Sequence, residues 1–243
     1  NLIFIQIFDF IRGKDQILNR AKEVLMSLST RKLTSYFMIA GPIGVFAIWG
    51  ILTEAIVGSS DVDGIGNAGL FLQNANSAGS IAGLLEIFGL LFFVAQMFGL
   101  VLFARQLSSE GQSGSAFANI AALLGIVSSA SIIIGTDFGV AAMKAGDNGV
   151  MEDAMVLAQV YSNSGALFGI FIALSFGMVS IPMIGQASTS LKKFLGFALG
   201  ILCAVLFIIE LFGLDIGDIV QFIVWIGFTL VFVTAGFLNL KEE

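Results

Sequence analysis

Ser80 to Gln106 reads SIAGLLEIFGLLFFVAQMFGLVLFARQ, an apolar run with a single acid inside it, Glu86, and Arg105 near its end. About 20 consecutive apolar residues cross the hydrocarbon core of a bilayer as a helix. A carboxylate within such a run is costly against lipid, so Glu86 is expected to face protein or water. Similar runs lie on either side, at about 34–57, 115–136, 161–184, 193–213 and 217–238, making six spans with 79–104. Of the 243 residues 57% are hydrophobic and 12% charged, against about 25% charged in soluble domains. The runs do not alternate as barrel strands do. The expected fold is an all-α polytopic bundle of six transmembrane helices, with residues 34–240 as the membrane domain.

Residues 1–33 form a separate N-terminal segment. NLIFIQIFDFIR at 1–12 is too short to span. Over 15–29, Ile17, Leu18, Ala21, Val24, Leu25 and Leu28 share a helical stripe, with Arg20, Lys22 and Glu23 off it. That predicts an amphipathic helix on the membrane surface, or a short helix packed on the membrane body. Starting at Asn1 rather than Met suggests a processed chain or part of a longer one. Stretches 58–78 and 137–160, rich in Gly, Asn, Asp and Ser, read as surface loops, and 104–114 and 185–192 as tight turns. The only prolines, Pro42 and Pro182, fall near span ends, where each can kink its helix.

With six spans, Arg12, Lys14, Arg20, Lys22, Arg31, Lys32, Arg105, Lys192, Lys193 and Lys241 fall on one face, leaving only Lys144 of the 11 Lys and Arg on the other. The positive-inside rule makes the first face cytoplasmic, with both termini inside. Tyr36 and Tyr161 are expected at the membrane interfaces.

The opposite face carries Asp61, Asp63, Asp137, Asp147, Glu152, Asp153, Asp215 and Asp218. Three glutamates lie within spans on that same half: Glu86 roughly 10 Å from its helix end, Glu54 and Glu210 roughly 5 Å. Glu86 shares a helical face with Gly79 and Gly83, Glu54 with Gly50, Ala47 and Ala40, and Glu210 with Cys203 and Gly196. Small residues mark close helix approach, so each acid is expected to point into the bundle. Asp218, Gln221, Trp225 and Thr229 recur on one face of the sixth span. Glu86, Glu54, Glu210, Asp218 and Gln221 are therefore candidate cation- or proton-binding residues around an outward-opening acidic vestibule. The plainer alternative is that the acids hydrogen-bond Ser, Thr and Asn of neighbouring helices and hold the bundle together. Gly165, Gly169, Ala173 and Gly177, and Gly196, Gly200 and Ala204, read as packing seams.

Most catalytic chemistries lack their residues. The chain has no histidine and one cysteine, Cys203, so neither disulfide nor thiolate cluster is available, and copper or haem lacks its usual ligands. Gly111-Gln112-Ser113-Gly114 matches a rhomboid-protease string but has no histidine to activate the serine. HExxH and the phosphate-cradling GxxxxGK[ST] are missing. Asp215 and Asp218 sit in one turn rather than facing each other across two helices. No lysine lies deep in a helix for retinal. The basic N-terminal segment suits anionic lipid better than nucleic acid. No cofactor and no metal site are expected.

Arg31-Lys32-Leu33 before the first span, Phe103-Ala104-Arg105 closing the second, and Ile181-Pro182-Met183-Ile184-Gly185 leading into Phe194-Leu195-Gly196-Phe197-Ala198-Leu199-Gly200 resemble an uncharacterised prokaryotic family of six-span membrane proteins, a domain of unknown function. The resemblance covers about residues 31–240 and implies a fold without an activity. In that family a proline commonly precedes the glycine of the fifth span; here Lys193 and Phe194 stand in that stretch. The expected function is a non-enzymatic accessory or structural subunit in a prokaryotic cytoplasmic membrane, partnered by the bilayer and by other membrane subunits or further copies of itself. The alternative is a cation- or proton-coupled transporter or channel. A lipid-substrate enzyme using Glu alone ranks third.

Overall fold

The structure is a computed structural model that describes residues 29–59, 61–62, 65–214 and 218–241, without the side chains of 61–62, 65–66, 164–167 and 218–221. The segment 1–12 and most of the surface helix expected at 15–29 lie outside the described residues. Helix α1, Thr30–Ile56, starts at Ser29, whose hydroxyl accepts from Lys32 N at 3.1 Å and so satisfies one orphan donor of the first turn. Pro42 lies inside it and has no N–H to donate. From Phe46 to Thr53 the helix widens into a π-helix, the form often found at functional sites. A two-residue ladder, β1 Asp61–Val62 with β2 Ile65–Gly66, leads to α2, Ala68–Ala78. Gly79, at φ 61, then breaks the chain into α3, Ser80–Gln106. There follow α4 (Ser115–Asp147), α5 (Met151–Gly185), α6 (Ser190–Phe212) and α7 (Asp218–Lys241).

Among the described residues, six helices are long and apolar enough to cross a membrane: α1, α3, α4, α5, α6 and, from Phe222, α7. The protein is an all-α, multi-pass membrane protein. Because these helices alternate in direction, Arg31, Lys32, Arg105, Lys192, Lys193 and Lys241 gather at one end, here the basic end. Lys144 lies at the other, the acidic end.

The two long loops are corrected. Within 58–78 the chain forms α2, and across 137–160 it stays helical except for the short link between Asp147 and Met151. The small residues that suggested a loop serve as packing surface. Ala142, Met143, Ala154 and Ala158 join Phe71, Leu72, Ala75 and Ala82 in a second apolar cluster, which forms a helical cap at the acidic end.

The main core lies between α1, α3, α4, α5, α6 and α7. Its aromatic centre is Phe176, set edge-on to Phe228 and Phe232 at 4.4 and 4.9 Å between ring centres, a favoured geometry for aromatic pairs. Helices α1 and α3 touch backbone to backbone: a Cβ on Gly41 would lie 2.6 Å from Gln96 Cα, and one on Gly99 would lie 2.8 Å from Met38 N. The α5–α6 seam follows the expected small residues, with Gly169 against Glu210, Gly177 against Cys203, Gly200 against Ser180 and Gly196 against Met183. Ala204 departs from it and is exposed. The stripe Ala40, Gly50 and Glu54 is likewise exposed, with Ala47 half-buried, so α1 packs through Gly41 and Gly44 instead.

Gly114 precedes α4 at φ 77, and a Cβ there would lie 2.9 Å from Pro182 Cα. Gly114→Ala therefore adds the left-handed backbone cost of about 1–2 kcal/mol to a backbone clash. The expected result is a clearly lowered Tm in detergent, while Gly111→Ala, at φ 79 but with nothing among the described residues within 4 Å, loses only the first part.

Candidate functional site

Glu86 is the one acid among the described residues that is buried, at 6% exposure. Its own helix begins close by, at Ser80. Burial comes from the cap: α2 and the extended α4–α5 pair stand above it. Tyr161 of α5 is wedged there, with its ring 4.9 Å from Phe71 of α2 and against Gly139 of α4, where a Cβ would lie 3.0 Å from the ring. So held, Tyr161 donates its hydroxyl to Glu86 Oε1 at 3.5 Å, a long bond. It is thus half-buried against the cap. Tyr36, by contrast, is exposed near the basic end.

The second neighbour of the carboxylate is the Trp49 indole, carried on the π-helical stretch of α1. Gly89, one turn after Glu86, makes room for it, since any Cβ there would overlap Trp49 Nε1. The indole N–H falls short of a full hydrogen bond, so Trp49 Nε1 and Glu86 Oε2 are both buried without a protein partner. Thr53 Oγ1 and Thr136 Oγ1 are in the same condition. Helices α1 and α3 run antiparallel with Trp49 beside Gly89, so Thr53 comes level with Glu86. Gly125 of α4 packs on Leu100 and Val101 of α3, and that register carries Thr136 level with Gly89. All four unpartnered buried polar atoms among the described residues thus share one layer of the bundle. Buried polar groups in folded proteins are nearly always hydrogen-bonded, so such a group needs an explanation.

The other candidate residues are not gathered here. Glu54 is exposed, contrary to the expectation that it points inward. Glu210 does point inward, half-buried against Gly169. Gly169 and Tyr161 are eight positions apart on α5, about 12 Å along the axis, so Glu210 and Glu86 sit at different depths. The shared vestibule does not form among these three acids. The side chains of Asp218 and Gln221 lie outside the described residues. Gly79 and Gly83, expected to mark a close helix contact, have no atom of the described residues within 4 Å of a Cβ position. Among the described residues no group of three or more His, Cys, Asp or Glu converges to hold a metal.

Trp49 and Tyr161 were missed as neighbours of Glu86, and Thr53 and Thr136 as members of the same layer. Trp49 and Thr53 carried a weak signal: they lie one helical turn apart inside an apolar span. Tyr161 and Thr136 stood at assumed span ends. Searches against protein-family models, curated proteins and solved structures find no match for this chain.

Proposed function

We propose that this chain is a non-enzymatic, proton-coupled transporter or channel protein in which Glu86 binds and gives up the proton. The observation that supports the reading is the buried layer of Glu86, Trp49, Thr53, Tyr161 and Thr136. An ionised carboxylate at membrane depth needs a proton or counter-charge. The two groups nearest Glu86 are an indole N–H and a phenol O–H, both donors. Donors ligate a metal cation poorly, since hard cations take several oxygen ligands, but they stabilise a carboxylate once its proton has left. The π-helical wall gives a segment of α1 able to reset its hydrogen-bond ladder as that charge changes. The basic end faces the cytosol of a prokaryotic cell by the positive-inside rule, with residues 31–240 belonging to the six-span family that they resemble.

The test is a pH-difference infrared spectrum of the purified protein in lipid. A carboxyl carbonyl band is expected that vanishes in Glu86→Gln and shifts in Tyr161→Phe. Persistence of that band in Glu86→Gln removes Glu86 from proton binding. A second reading, an accessory subunit of a membrane complex, is favoured by one observation: around Gly79 and Gly83 no atom of the described residues comes within 4 Å of a Cβ position, which suits close approach by another helix. Leucine at Gly83 then abolishes co-purification of that subunit, while leaving the infrared band unchanged.

A further inference from the structure

The two threonines in the layer around Glu86 break a habit of this chain. A serine or threonine inside a helix often satisfies its hydroxyl on a carbonyl one turn back. Thr34 does so to Thr30 O and Thr234 to Leu230 O, both at 2.7 Å, and Ser128 and Ser129 do so to Leu124 O and Gly125 O, both at 2.9 Å. Thr53 Oγ1 and Thr136 Oγ1 are buried and make no such bond. Thr136 stands on the same helix as Ser128 and Ser129 and is only 2% exposed. Neither its own backbone nor bulk solvent serves its hydroxyl. It follows Gly125 by 11 positions, three helical turns, and so lies on the side of α4 that packs on α3. Thr53 follows Trp49 by four positions within the π-helical stretch, on the wall of α1 that meets Gly89.

With Trp49 Nε1 and Glu86 Oε2, these hydroxyls make four buried atoms without a protein partner. Their chemistry selects what fits among them. The indole N–H only donates, an ionised carboxylate only accepts, and each hydroxyl does both. A cation leaves the indole N–H unserved, and an anion is repelled by the carboxylate. A neutral molecule that both donates and accepts serves all four. The smallest is water, which makes about three hydrogen bonds when buried. Tyr161 occupies Oε1, which leaves Oε2 for this partner. No charged side chain among the described residues acts on Glu86; Tyr161 and Trp49 do. Toward the basic end the wall turns aromatic, with buried Phe93 set 6.2 Å from Trp49 and 5.0 Å from Phe168 between ring centres.

We infer that Thr53, Thr136 and Trp49 hold water against Glu86 Oε2, and that this water is the immediate acceptor of the Glu86 proton. The inference rests on Glu86 binding a proton, as proposed above. On release the Oε2–H bond breaks and its electron pair stays on the carboxylate. A new O–H bond forms on the water, which passes on one proton and returns to neutral. One intervening water is a usual distance for such a transfer. Thr53 and Thr136 are positioning residues in this step.

The test is the pH-difference infrared spectrum of the full chain in lipid, recorded in ordinary water and in water labelled with oxygen-18. Beside the Glu86 carbonyl band, an O–H stretch that shifts with the label is expected. Thr136→Val, which trades the hydroxyl for a methyl of similar size, abolishes that stretch and keeps the carbonyl band. Thr136→Ser, which retains a hydroxyl, keeps both. Thr53→Val, the second variant, weakens the stretch. Proton entry into vesicles slows in Thr136→Val and recovers in Thr136→Ser. A carbonyl band without a label-sensitive O–H stretch overturns the inference and leaves Glu86 as the proton site, as does a stretch unchanged in both valine variants. A wild-type spectrum without the carbonyl band overturns the proton reading itself, and this inference with it.

Discussion

In a Trp225→Phe background, the emission of Trp49 is expected to change with pH, and Glu86→Gln is expected to abolish that change. The chain has two tryptophans, so this background leaves a single reporter, whose indole lies beside the Glu86 carboxylate. A charge appearing or vanishing next to the ring alters its excited state, whereas glutamine keeps the shape and never ionises. In vesicles carrying the purified protein, acid-driven proton entry should fall to background in Glu86→Gln. It should persist in Glu54→Gln, because Glu54 lies exposed on another face of α1. A pH-dependent emission that survives in Glu86→Gln contradicts the assignment, as does proton entry unaffected by that change.

The second large effect concerns the contact that positions Trp49. Gly41→Leu forces a side chain into the Gln96 backbone, which cannot move aside as the tip of a flexible side chain can. Overpacking of a filled site costs about 1–3 kcal/mol, sometimes more, and here two helix axes must separate. A fall in Tm of several degrees in detergent is expected, with loss of the pH response of Trp49. Gly50→Leu is the comparison: it lies on the same helix, exposed, with the Phe46 ring nearest at 3.4 Å from a Cβ position, and should unfold close to wild type. Equal losses from the two substitutions would mean that α1 does not pack on α3 through Gly41.

These two glycines also show what was legible in the sequence. Six spans could be read because each is a long apolar run. Glu86 stood out because it is the lone acid in the longest-reaching of them. Which face of α1 turns inward was not legible. Ala40, Ala47 and Gly50 make one small-residue stripe, and Gly41 with Gly44 makes another beside it. Only the partner helix distinguishes them, and the π-helical turn at Phe46–Thr53 breaks the 3.6-residue period on which a stripe is counted. The cap was hidden for a related reason. Gly139, Ala142 and Gly146 look like loop composition, yet they are small because Tyr161 and Asn76 press against that side of α4 or because Ala142 is buried in the cap. The ties Asn239–Ser35 and Gln106–Thr34 join residues far apart in the chain, a distance over which periodicity carries no information.

Helices α4 and α5, of 33 and 35 residues, reach about 50 Å, while the hydrocarbon core is about 30 Å thick. Seen edge-on in a lipid disc, the described helices would therefore stand out from the bilayer as a blunt knob at the acidic end. For so small a membrane protein, that knob is an alignment feature for single-particle imaging, and an antibody fragment raised to it would mark which leaflet it leaves.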